Sequence, residues 1–109
     1  MDILYIDKTE LIYTDINQTQ PPTYNVPYSQ ISTIFYGTMT KKSFFGLIKK
    51  PVRYIGIKAN NIAQMLMIYE SDVGEDAYNK YVEDLKEFAH NNRVTMREST
   101  GDTKDDWKL

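Results

Sequence analysis

Two short runs rich in strand-forming residues open the chain, at 3–6 and 11–14, with the polar link Asp7-Lys8-Thr9-Glu10 between them. That arrangement predicts an antiparallel hairpin. Residues 17–23 contain Pro21-Pro22 and read as a loop, followed by a short strand at 24–26 before Pro27. Residues 31–39 are dense in β-branched and aromatic side chains, although Ile31 and Ile34 also carry helical spacing. Gly37 inside this run predicts a bulge or bend. Residues 44–48 form a short apolar run that Pro51 is expected to stop. Alternation then resumes at 52–59, with Arg53, Ile55, Ile57 and Ala59 on one face, and Asn60-Asn61 marks a turn. Residues 63–69 are almost wholly apolar, the pattern of a strand covered on both faces.

The period then changes. Tyr78, Tyr81, Val82, Leu85, Phe88 and Ala89 recur at intervals of three and four, one face of an amphipathic helix. Ser71 or Asp72 is a candidate cap, and Glu75 and Asp76 suit the positive end of the helix dipole. Asp76 and Lys80 are spaced as an i,i+4 ion pair. Asn91-Asn92 offers a left-handed helix end. Strands first and a helix last predict an α+β fold with the helix packed on an antiparallel sheet. The expected domain spans 1–93, followed by a polar tail at 94–109.

This order resembles that of bacterial pleckstrin-homology-like domains and of their GRAM relatives. Leu11-Ile12-Tyr13-Thr14 is similar to an early strand of those domains. The run Val26-Pro27-Tyr28-Ser29-Gln30-Ile31-Ser32-Thr33-Ile34 looks like their entry into the third strand, and Ser43-Phe44-Phe45-Gly46-Leu47 like the strand that follows. The resemblance implies a partly open antiparallel barrel of about seven short strands capped by one C-terminal helix. Lipid-binding members carry a basic cluster on the first hairpin loop. Here that loop is Asp7-Lys8-Thr9-Glu10, which argues against phosphoinositide recognition in the usual place.

Composition narrows the chemistry. With 109 residues and 41% hydrophobic content, one core is expected. The absence of cysteine excludes disulfides, thiolate metal sites and cysteine nucleophiles. The single histidine, His90, falls near the end of the predicted helix, where a cation gains about 0.3–1 kcal/mol from the dipole. Neither a Gly-rich phosphate loop nor a calcium-loop spacing is present, and Asp102, Asp105 and Asp106 fall in the polar tail. These features predict a non-catalytic binding module without a cofactor or metal. The opening residues show neither a secretory signal pattern nor an apolar run of spanning length, so a cytoplasmic location is expected. Residue usage rich in Lys, Asn, Ile and Tyr is typical of AT-rich bacterial genomes.

Charge is the least uniform property. The net value is only −2, yet residues 16–69 contain no acid and six cations: Lys41, Lys42, Lys49, Lys50, Arg53 and Lys58. Two lysine pairs bracket Phe44, Phe45, Leu47 and Ile48. One reading is a contact surface made by Lys41, Lys42, Phe44, Phe45, Lys49, Lys50 and Arg53, engaging an anionic membrane or ligand. The plain alternative is a strand with a phenylalanine in the core and lysines keeping its edge soluble. Nucleic acid is the weaker partner class, because the aromatic motif of RNA-binding sheets is not matched. The nine tyrosines exceed what one small core hides, which favours a protein partner or a homo-oligomer. Trp107 is a further candidate contact.

Overall fold

The computed structural model describes residues 3–16, 22–43 and 48–100. Its architecture is α+β, with two sheets and one long helix. The first sheet is the predicted hairpin plus one strand. Strand β1 (Leu4–Ile6) pairs antiparallel with β2 (Glu10–Thr14), and β2 with β3 (Thr23–Pro27). Leu11 and Tyr13 point inward from β2 and Val26 from β3, while the positions between them are half-buried or exposed. That is the period-two burial expected of a sheet with one face covered.

The second sheet has the order β6-β5-β4-β7. Its centre is a long antiparallel pair, β4 (Ile31–Ser43) with β5 (Ile48–Ala59). Strand β6 (Leu66–Tyr69) flanks β5, and β7 (Thr95–Glu98) lies parallel to β4. In β5 the expected face of Ile55, Ile57 and Ala59 enters the main core. Tyr54 and Gly56 on the other face are buried as well, so the middle of β5 is covered on both sides.

The helical segment breaks in two. Helix α1 (Glu70–Val73) ends at Gly74, whose φ of 91° leaves the helical region, and α2 (Glu75–Asn92) begins at once. Gly74 therefore occupies the cap position read for Ser71 or Asp72, and no side chain caps α2. The apolar face holds as read: Tyr78, Val82, Leu85, Phe88 and Ala89 are buried and Tyr81 is half-buried. Each large apolar side chain on this face contributes about 1.5–3 kcal/mol of burial. Lys80 pairs with Asp84 at 3.0 Å, one turn onward from the expected partner Asp76. The left-handed residue at the helix end is Arg93, with φ 56°, and Asn92 caps instead through its side chain on the Phe88 carbonyl.

Five expectations need correction. The strands form two separate sheets, and no closed barrel is present among the described residues. The two central strands are long, at 13 and 12 residues. Strand β5 runs through Pro51, because no neighbour pairs with its outer side there among the described residues and the missing N–H costs no ladder bond. Residues 95–98, read as tail, form β7 and close the edge of β4. Gly37 is not a bulge either: the register shift lies between Ile31 and Thr33. Its φ is 145°, and a Cβ there would meet the Ser99 carbonyl oxygen at 2.4 Å.

Tyrosine hydroxyls tie these layers together. Tyr13 Oη donates to the Met67 carbonyl at 2.8 Å, joining the first sheet to β6. Tyr54 Oη donates to the Ser99 carbonyl at 2.8 Å, and Tyr78 Oη to the Tyr54 carbonyl at 2.9 Å. Burial, reinforced by the Asp15 charge, pushes the Tyr13 hydroxyl up to about 12. Burial also raises Tyr69 and Tyr78.

Two predictions follow from this packing. A Gly37→Ala variant combines an unfavourable backbone region with a backbone collision, so it should lose about 2 kcal/mol or more in urea unfolding. A loss within error would show that the Ser99 contact is dispensable. For Tyr13, Tyr69 and Tyr78 the folded state holds its protons to higher pH than the unfolded chain. Stability should therefore be flat below about pH 10 and fall as the pH rises toward 12. Stability unchanged from pH 9 to 12 in denaturant titrations would contradict the burial assigned to these hydroxyls.

Candidate functional site

The β4–β5 pair outgrows the sheet that contains it. Strand β7 matches β4 from Thr33 to Tyr36, and β6 matches β5 from Tyr54 to Ile57. From Thr38↔Arg53 to Ser43↔Ile48 the two strands have only each other as ladder partners among the described residues. Six ladder positions at about 3.4 Å each make an arm on the order of 20 Å long.

The register of this arm places the predicted cations. Lys41 is directly opposite Lys50, and Lys42 directly opposite Lys49. Directly opposed positions on antiparallel strands have Cβ atoms about 4.5–5.5 Å apart, and like charges there are destabilising. Two unit charges 5 Å apart repel by about 0.8 kcal/mol even in bulk water. The ladder sets no carboxylate opposite any of the four lysines. The register thus sets four lysine positions on two consecutive ladder pairs toward the far end of the arm, and with the period-two alternation of a strand each face receives one pair. Lys50 and Pro51 are exposed. Phe44 and Phe45 lie outside the described residues.

Arg53 stands apart from this group. It occupies the base of the arm, and its guanidinium is engaged with its own domain. Nη2 donates to the Glu70 carboxylate of α1, and Nη1 to Asn79 Oδ1 of α2 at 3.2 Å. The guanidinium carbon sits 4.7 Å from the centre of the Tyr78 ring. Hydrogen bonding to Glu70 raises the Arg53 pKa above its ordinary value. Arg53 therefore ties the arm to both helices. Sequence spacing grouped it with the lysines because Glu70 and Asn79 are remote along the chain.

The tyrosine excess also divides. Tyr13, Tyr54 and Tyr78 are buried with bonded hydroxyls, and Tyr24, Tyr36, Tyr69 and Tyr81 are half-buried. Only Tyr5 and Tyr28 are exposed, at 60% and 44%. Most of the tyrosine content is thus spent on the fold.

Sequence reading missed a second feature, a pair of shallow clefts between β1 and α2 with volumes of about 340 and 260 Å³. They share Ile6 and Asp84. Their signal in the sequence was weak, since the residues come from two elements some 70 positions apart. Beside Arg53 a smaller cleft of about 230 Å³ includes Tyr36, Thr38, Glu83 and Glu98. Among the described residues no three His, Asp or Glu side chains gather as a metal-binding set, and no helix is long and apolar enough to cross a membrane.

Compared with known proteins, the chain matches no family model, and neither a curated protein nor a solved structure is significantly similar to it.

Proposed function

We propose that this chain is a non-catalytic interaction module that docks on an anionic membrane surface through the β4–β5 arm. The observation that carries this reading is the ladder register, Lys41 opposite Lys50 and Lys42 opposite Lys49. Such opposition costs folding energy when the arm is free, and anionic headgroups relieve it. Each lysine near an anionic leaflet contributes about 1 kcal/mol. The acid-free stretch from 16 to 69 keeps local carboxylates from cancelling that field.

Protein association through exposed tyrosines, the other reading drawn from the sequence, has less support on this geometry, because two tyrosines alone are exposed among those described. The pleckstrin-homology-like likeness bears on the same proposal. Seven strands and a helix packed on them support it, with one departure in order: β7 follows the helix. The first hairpin loop stays acidic, so the cationic contact is transferred to the β4–β5 hairpin.

Co-sedimentation with phosphatidylserine-containing vesicles tests the proposal, with phosphatidylcholine vesicles as control. Binding should be confined to the anionic vesicles and weaken at high salt. Combining Lys41→Glu with Lys42→Glu should lower it about tenfold or more while thermal stability is kept or raised, because each new carboxylate stands opposite a lysine, whereas Lys58→Glu outside the arm should have little effect. Equal binding to both vesicle types, or indifference to the double reversal, would remove the membrane reading. Charge-dependent self-association without vesicle binding would put a protein on the arm instead.

A further inference from the structure

One face of the second sheet is dry, yet no second layer among the described residues accounts for it. Side chains directly opposite one another on neighbouring strands share a face. Met67, Gly56, Phe35 and Arg97 therefore form one row across β6, β5, β4 and β7, and Tyr69, Tyr54 and Gly37 form the next. Contacts agree with the first row. Met67 Sδ lies 3.4 Å from where a Gly56 Cβ would stand, and the Arg97 guanidinium carbon lies 5.3 Å from the centre of the Phe35 ring. The first sheet and α2 are on the opposite face, where their buried side chains pack with Ile34, Ile55 and Ile57.

Phe35 and Tyr54 stand outside that core, yet both are 0% exposed. Thr33, two positions before Phe35 on the same face, is 0% exposed as well, and its Oγ1 has no hydrogen-bond partner among the described residues. The Tyr54 side chain reaches across Gly37 to the Ser99 carbonyl at 2.8 Å, so its ring lies along the sheet. A ring in that attitude on a bare sheet keeps one side in water. Met65 and Met67 at the rim are only half-buried. Full burial across this width of sheet therefore requires a cover.

The described chain ends beside this face. Ser99 N–H donates to the Tyr36 carbonyl at 2.8 Å, and Thr100 lines a small cleft with Gly37 and Thr38. Residues 101–109 follow and lie outside the described residues. The stretch from Thr100 to Trp107 spans up to about 23 Å at about 3.3 Å per residue. Four strands are only about 14 Å across, so an indole at that distance can reach any part of the face. The segment carries two large apolar residues, Trp107 and Leu109, and three carboxylates, Asp102, Asp105 and Asp106, opposite in sign to Arg97. A tryptophan suits a floor of aromatic rings edged by methionine sulfur.

We infer that the outer face of the second sheet is the docking site of the chain's own C-terminal segment 101–109, with the Trp107 indole over Phe35 and Tyr54. The seated segment closes this face to any other partner. The inference stands whether or not the lysine arm meets a membrane.

Trp107 is the sole tryptophan, so the fluorescence of the full chain reads its surroundings directly. Its emission should be blue-shifted from that of the urea-unfolded chain and shielded from acrylamide. Nuclear Overhauser contacts should join the indole to Phe35 and Met67. Both readouts use the unaltered chain, so they decide the matter even if a variant fails to fold. Trp107→Ala should raise the binding of a hydrophobic dye severalfold. It should move the resonances of Phe35, Tyr54 and Met67 and leave those of Leu11 and Leu85 in the main core in place. Emission equal to that of the unfolded chain, indole contacts elsewhere, or unmoved Phe35 and Tyr54 resonances would overturn the inference. So would a blue shift that disappears on dilution, which would make a second copy the occupant.

Discussion

Backbone amides and carbonyls in the middle of β4 and β5 are shut away from water and have to be paired. Twelve ladder positions between the two strands provide most of that pairing. β6 and β7 complete it on the outer sides, where Tyr54–Ile57 and Thr33–Tyr36 would otherwise be left with unbonded groups. Burial of both faces at Thr33, Ile34 and Phe35 makes this pairing obligatory. The helix, the first sheet and β7 are all held in place by what they cover on this one ladder.

Polar clamps then hold the layers in register. Three buried tyrosines place their rings in the packing and their hydroxyls on carbonyls of other elements, so little polar surface is stranded by burying them. Arg53 acts similarly at the boundary between the ladder and the helices, with Glu70, Asn79 and the Tyr78 ring each taking one part of the guanidinium. Both devices use a side chain that is apolar along its length and polar at its tip. They explain how a chain this rich in tyrosine presents so few exposed rings.

Charge segregation along the chain becomes segregation by element. The cations of the acid-free middle fall on β4 and β5, whereas Glu70, Asp72, Glu75, Asp76, Glu83, Asp84 and Glu87 fall on α1 and α2 and Glu98 on β7. The same domain thus carries its lysine pairs on the β4–β5 ladder and most of its later carboxylates on the helices.

Local periodicity determined the elements whose burial it describes. The three-and-four spacing from Tyr78 to Ala89 specified the buried face of α2, and the polar link at 7–10 specified the first hairpin, because each pattern reports one element meeting one apolar layer. The cation-rich, acid-free middle was equally plain, since charge is written directly in the sequence. Tertiary structure alone decided the rest. Thr95–Glu98 has no strand pattern and became β7 because the edge of β4 needed a partner. Pro51 is tolerated because its strand has no outer neighbour there. Arg53 left the lysine set because folding brought Glu70 and Asn79 within reach. The β1–α2 groove arises only when two distant elements are set side by side. Each of these outcomes depends on which groups lie across a gap in space, and no window of sequence holds both sides of that gap.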